Sequence, residues 1–494
     1  MLTLLAAGLL ASGCESVGGL GAPSGRSGLG LMTPEQFDRP LWIPTEDTGV
    51  VDSHGVRRFA LTAMPGVSDF GVARTDTWGF NGDYLGPTLR AKTGERVGVR
   101  VTNELTEETT VHWHGMHLPA RMDGGPHQPV APGDEWTPEW SIRQTPATLW
   151  YHPHPHGETE QHVYRGLAGL FIVDPADGPD RRLPHRYGVD DIPVILQDKR
   201  VGDDGRLDFD DQGNEIGLMG DRVLANGVWG AFHEVATDLV RLRILNGSTA
   251  RSYRLGFGDD RPFDLIGSDG GLLEAPSRTT RVQVSPGERV EIVVTVTPGE
   301  VIRLRSYGAD LGGVAASFAF GGEDEADILE LRASDRLDEL PPVPAALASI
   351  ARLDPDDAVA ERQFVFEGRE INGRRMDMGR IDEVVVVDTT EIWEVHSRNL
   401  FPHNFHVHDV QFQVLSIDGA PPPPELAGLK DTIYLAPRTT YRLIMRFADH
   451  ADPDTPYMYH CHLLLHEDEG MMGQFVVVER GEEVDHNGNS GHHH

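Results

Sequence analysis

The stretch that most constrains this chain lies near its end, Tyr459-His460-Cys461-His462-Leu463-Leu464-Leu465-His466-Glu467-Asp468-Glu469-Gly470-Met471-Met472. In an extended segment, side chains two apart share a face and the one between them points the other way. His460 and His462 are therefore expected to aim at one place and Cys461 at the opposite side. His466 and Met471 follow five and ten residues after the cysteine. A thiolate, two imidazoles and a weak methionine form the trigonal-plus-axial site of an electron-transfer copper, and Cys461, His466 and Met471 supply three of those donors. The second imidazole, and the partners of His460 and His462, must come from elsewhere in the chain.

Three other clusters supply them: His112-Trp113-His114, His152-Pro153-His154-Pro155-His156 and His403-Asn404-Phe405-His406-Val407-His408. Each holds a His-x-His pair that places two imidazoles on one side of an extended segment. One such pair arises readily on a surface. Four of them, one bracketing Cys461, are not explained by packing or solvation. In these clusters the chain resembles the multicopper oxidases (the laccases, bilirubin oxidases and copper-efflux oxidases), from about Leu41 to Val478.

The resemblance implies three cupredoxin-like Greek-key β-sandwich domains, an all-β fold, and four coppers per chain: one type 1, one type 2 and two type 3. Carried over residue by residue, it implies that His403, Cys461, His466 and axial Met471 hold the type 1 copper. His112 and His406 are implied for type 2. His114, His152 and His462 are implied for one type 3 copper, and His154, His408 and His460 for the other. Asp123, in Met122-Asp123-Gly124-Gly125-Pro126, matches a carboxylate near the type 2 copper, and Glu467 matches an acid that relays protons to dioxygen. Orienting a histidine ligand is the plainer role for either acid. His156, His117 and His127 receive no role.

The length, 494 residues, exceeds one ordinary domain. With 56 Gly and 34 Pro, it suits many short strands joined by turns. Alternating segments at 94–103, 238–246 and 390–397 read as equivalent strands of three repeats. Ala131-Pro132-Gly133, Ser285-Pro286-Gly287 and Ala436-Pro437-Arg438 open a later strand in each. In the middle repeat, Ser252-Tyr253-Arg254 stands where the others carry histidines, so that repeat is expected to hold no copper. The expected organisation is an export signal with a lipobox-like end at 1–14, a flexible tether at 15–40 and a first domain at 41–178. A second domain at 185–335, a linker at 336–357, a third domain at 358–480 and a disordered tail at 481–494 follow.

Leu2 to Leu10 is too short to span a bilayer and reads as the apolar core of an export signal, placing the protein in the periplasm or at the cell surface. Cys14 after Ala11-Ser12-Gly13 resembles a lipoprotein cleavage site, which would give a membrane tether; a plainly cleaved signal is the alternative. Cys461 is then left without a disulfide partner. The net charge of −34 argues against a nucleic-acid partner.

Dioxygen is the expected acceptor, and a small aromatic molecule or cuprous ion the reductant. Efflux oxidases carry a methionine-rich insert and place Asp and Met before the histidine matching His403. This chain has only Met376 and Met378 in the insert region, with Asn399 and Phe401 before that histidine, which favours aromatic donors. A cuprous oxidase serving copper tolerance is the alternative. A cell-division relative that keeps the fold without copper ligands is a third reading, opposed by the complete ligand set.

Overall fold

A computed structural model describes residues 29–482. The signal segment with Cys14 and the tail from 483 onward lie outside the described residues.

Three strand-rich units each enclose their own apolar core. The first packs Leu61, Val99, Trp113, Trp140 and Phe171, and the second Ile192, Leu242, Ile244, Leu255 and Ile292. The third packs Phe364, Trp393, Phe405, Leu443 and Phe475. The three equivalent segments are strands at Arg96–Asn103, Leu239–Asn246 and Thr389–Ser397. Each runs parallel to the long strand that opens its unit: Val56–Asp69, Asp191–Lys199 or Ala358–Glu367. On its other side each pairs antiparallel with a strand downstream of its Pro-containing turn. The turns share a backbone as well as a place. Gly133 and Gly287 have φ of 86° and 85°, and Arg438 occupies the matching position at 59°. An arginine held there costs about 1 kcal/mol that glycine avoids.

Residues 31–40, expected to end a flexible tether, are instead packed. Met32 and Phe37 are buried, Met32 N donates to Asp327 and Arg332 donates to the Phe37 carbonyl. Arg39–Pro40 pairs in parallel with Ala231–Thr237, and Leu41 joins the second core rather than the first. Met32 and Phe37, two buried apolar side chains in a mostly polar run, anchor it.

The first and third units meet face to face. Asp468, at the end of the short helix Leu464–Asp468, accepts from Thr159 N and Glu160 N at the start of the helix Thr159–Arg165. Nearby, His117 of the first unit donates to Asp409 (2.7 Å) and lies 3.3 Å from Asp449, both of the third. Burial alone would lower the His117 pKa, but the two carboxylates outweigh it and raise it to about 9. Since the folded value lies above the ordinary 6.5, this contact stabilises the fold fully below pH 6.5 and is lost as pH rises through 9. The expected loss is roughly 3 kcal/mol. Thermal unfolding followed from pH 6 to 10 should show this fall, and His117→Gln should flatten it. A wild-type curve as flat as the variant's would remove His117 as the cause.

Candidate metal centres

Two groups of buried donors stand out, a larger one built jointly by the first and third units and a smaller one built by the third alone. In the smaller, His403 begins the strand His403–Val407, Cys461 follows directly on the strand Asp452–His460, and His466 sits on the helical turn after it. The Cys461 Sγ is 3.5 Å from Nδ1 of both His403 and His466. Nε2 of His466 donates to the Glu215 carbonyl of the middle unit at 2.8 Å, which commits its proton and leaves Nδ1 as a donor to metal. Met471 is fully buried in the same core as Cys461, and its carbonyl accepts from Cys461 N; Met472, opposite His460 in the sheet, is not part of that core. Burial pushes the Cys461 thiol up to about 12, so a thiolate here requires a cation beside it.

The larger group is a cage of eight imidazoles, every one buried. His406 and His460 face each other across antiparallel strands, and His112 and His152 are joined by a two-bond β-bridge. His112 stacks on His408 at 3.9 Å and His114 on His406 at 3.7 Å. Nε2 of His460 lies 3.2 Å from Nε2 of both His154 and His408. The His114, His152 and His462 rings are mutually 5.0–5.6 Å apart, and those of His112 and His406 5.8 Å. His460 and His462 lie on one side, their planes 26° apart, as expected, although the strand itself ends at His460.

Protons are sorted so that donor atoms point inward. Nδ1 of His112 and His406 donates to the carbonyls of Asp123 and Asp431, and Nδ1 of His408 to the Asp123 carboxylate at 2.7 Å. Nδ1 of His152 and His460 bonds to the carbonyls of Pro153 and Cys461. His114 is reversed: its Nε2 meets Asp431 Oδ1 and Thr432 Oγ1, both at 3.0 Å, so Nδ1 is the atom left over. Nε2 of His112 and His406 and both nitrogens of His462 are buried with no partner in the protein. Such orphans cost about 1–3 kcal/mol each unless something binds them. Burial, reinforced by neighbouring rings, holds His114, His152, His406 and His408 well below the ordinary histidine range, so all are neutral, the form that can bind a metal. The donor set therefore fits copper, a thiolate site for one ion and an imidazole cage for several.

Both expected acids are beside the cage. Asp123 orients His408 and stands 3.4 Å from His112. Glu467 has Oε1 3.2 Å from His154 Nδ1 and Oε2 3.2 Å from His460 Nδ1, neither aligned as a hydrogen bond. His156 is exposed, His117 bridges units and His127 bonds to Gln474, so none of the three enters the cage. Asp431, Thr432 and Asn404 were not expected. Asn404 Oδ1 accepts from His462 N and lies 3.6 Å from Cys461 Sγ, bracing both groups at once. Its place between His403 and His406 was the available signal; Asp431, outside every cluster, offered none.

The multicopper oxidase family models match residues 64–178 and 343–481. Multicopper oxidase mco of Staphylococcus haemolyticus is 35% identical over 454 residues, 90% of this chain and 94% of that one. Cell division protein FtsP of Xenorhabdus nematophila is 35% identical over 83% of this chain and 87% of its own. A solved laccase-like multi-copper oxidase from Ochrobactrum sp., with oxidase activity towards lignin model compounds, superposes at a TM-score of 0.80. It is 35% identical, and the match covers 89% of this chain and all of that one. With three cupredoxin-like sandwiches and this donor set, the chain belongs to the multicopper oxidase family of copper oxidoreductases.

Proposed function

We propose that the protein is a laccase-like oxidase that takes single electrons from phenols and aromatic amines and reduces dioxygen to water. In this reading His403, Cys461, His466 and Met471 hold the type 1 copper, and His112 and His406 the type 2. His114, His152 and His462 hold one type 3 copper, and His154, His408 and His460 the other. When bound, copper supplies the one-electron steps at the cysteine site and the four-electron capacity at the cage. The chain supplies the connection: Cys461 is covalently continuous with His460 and His462, and Asn404 fixes the spacing. An exported protein is the reading that residues 1–14 support.

The observation that carries the donor class is Phe401. Its ring lies 5.0 Å from His403 and 5.6 Å from His466, where an efflux oxidase would place a thioether. The His403 and His466 imidazoles are both fully buried. Their covers are Asn399, whose amide meets His403, and the Glu215 loop of the middle unit, which takes the His466 proton. A donor is therefore met by the edge formed by Glu215, Leu400 and Phe401, with Leu400 64% exposed. An aromatic edge offers a phenol ring contact and a cuprous ion no ligand.

Copper-loaded protein is expected to oxidise phenols without added copper, and Phe401→Ala to lower phenol kcat/KM about 3- to 10-fold, the worth of one aromatic contact. Asn399→Asp with Phe401→Met is expected to raise cuprous oxidation. Efficient cuprous oxidation by wild type, with phenol turnover only when copper is added, would make the protein a copper-tolerance oxidase instead. A purely structural role would require loss of copper binding, and the full donor set stands against it.

A further inference from the structure

The middle unit carries no expected copper ligand, yet one of its turns reaches the cage. Ser285-Pro286-Gly287-Glu288-Arg289 is the middle copy of the repeated turn. The Pro286 carbonyl accepts from Asn404 Nδ2 at 2.8 Å. Gly287, at φ 85°, lies so close to two imidazoles that a Cβ there would fall 3.2 Å from His462 and 3.3 Å from His114. Glu288 pairs with Lys430 at 3.0 Å. Arg289 is completely buried and grips Asp431 with both arms, Nη1 to Oδ1 at 2.7 Å and Nη2 to Oδ2 at 2.6 Å.

Every remaining donor of that guanidinium is also committed. Nε donates to the Thr148 carbonyl, and the two terminal nitrogens also donate to the carbonyls of Gly287 and Asp269. Asp431 can therefore neither rotate nor drift. This matters because Asp431 orders two rings. Its carboxylate receives Nε2 of His114, the one ring turned to offer Nδ1 inward, and its carbonyl receives Nδ1 of His406. A paired, aligned carboxylate fixes the tautomer and plane of the imidazole bonded to it, which an untethered one does not.

We propose that Arg289 is a positioning residue for the copper cage: by clamping Asp431 it sets the reversed orientation of His114 and the placement of His406. The metal-free repeat thus acts as a template for a centre built from the other two. The proposal rests on the eight histidines being copper ligands.

The test is Arg289→Gln in the full chain, loaded with copper and compared with wild type by elemental analysis, absorbance and electron paramagnetic resonance. The cage should lose copper affinity about 10- to 100-fold, with an altered type 2 signal. The blue absorption, and its bleaching by donor under nitrogen, should be unchanged, because no ligand of the cysteine site touches Arg289. Arg289→Lys, which keeps the charge but loses the fork, should restore folding and part of the copper while leaving the type 2 signal shifted. Asp431→Asn should share the phenotype, and the double variant Arg289→Gln, Asp431→Asn should be no worse than the worse single change. If Arg289→Gln fails to fold, Arg289→Lys decides alone by its type 2 signal. Wild-type copper content and signal in the folded variant overturn the proposal; a wild type that takes up no copper overturns instead the reading on which it rests.

Discussion

Cys461→Ser is expected to remove the blue absorption of the copper-loaded protein and to reduce donor oxidation to the uncatalysed background, while most of the copper stays bound. The cysteine is the only thiol among the described residues, and its Sγ lies between the two Nδ1 atoms that complete the site. Serine has nearly the same shape, so the third core should close around it. Its hydroxyl has Asn404 Oδ1 in reach, 3.6 Å from the present sulfur, which limits the cost of burying a polar group to about 1–3 kcal/mol. A hydroxyl stays protonated where a thiolate would form, so the soft, charged donor is lost. The eight imidazoles of the cage keep every acceptor that orients them, since none of those bonds involves the Cys461 side chain. Elemental analysis should therefore find about one copper fewer per chain out of four. A variant that stays blue, or that loses all its copper, would show that Cys461 is not the donor at a separate site.

The candidate donors were legible because metal chemistry restricts residue type and spacing so tightly. Four His-x-His pairs and one cysteine leave few alternatives, and the repeated strand-and-turn pattern located three sandwiches around them. What stayed hidden was held by long-range contacts that no local pattern encodes. Asp431 lies 25 residues beyond His406, and Arg289 is 142 residues before its carboxylate partner, so neither stands near a cluster. Arg289 reads in sequence as an ordinary polar residue opening a strand, and only the fold reveals a guanidinium with no solvent exposure. The covering of His403 and His466 was hidden for the same reason. The Glu215 loop that caps His466 belongs to a different repeat, 251 residues away. Met32 and Phe37 show the converse: two apolar side chains pack residues 31–40 against the second unit where a tether was expected.

Glu467→Gln should keep the blue colour and its bleaching by donor under nitrogen, while aerobic turnover falls about 10²- to 10⁴-fold, the usual worth of a placed proton-transfer group. Dioxygen reduction needs protons delivered into a cage that is buried on every side. Glu467 is 1% exposed and stands between His154 and His460, with both oxygens free of hydrogen bonds in the protein. Burial works to raise its carboxyl, but the opposed imidazoles of His154, His460 and His462 hold it well below the ordinary carboxylate range. An ionised carboxylate at that position can accept a proton arriving from outside and pass it on to reduced oxygen; a glutamine of the same shape can do neither. The plainer role is orientation of the two rings. Glutamine would still offer one carbonyl oxygen for that, and losing the other contact should weaken copper binding without a separate effect on proton delivery. Copper content divides the two accounts. Full copper with slow aerobic turnover and normal anaerobic bleaching identifies a proton-transfer residue, whereas reduced copper with turnover falling in proportion returns Glu467 to holding His154 and His460 in place.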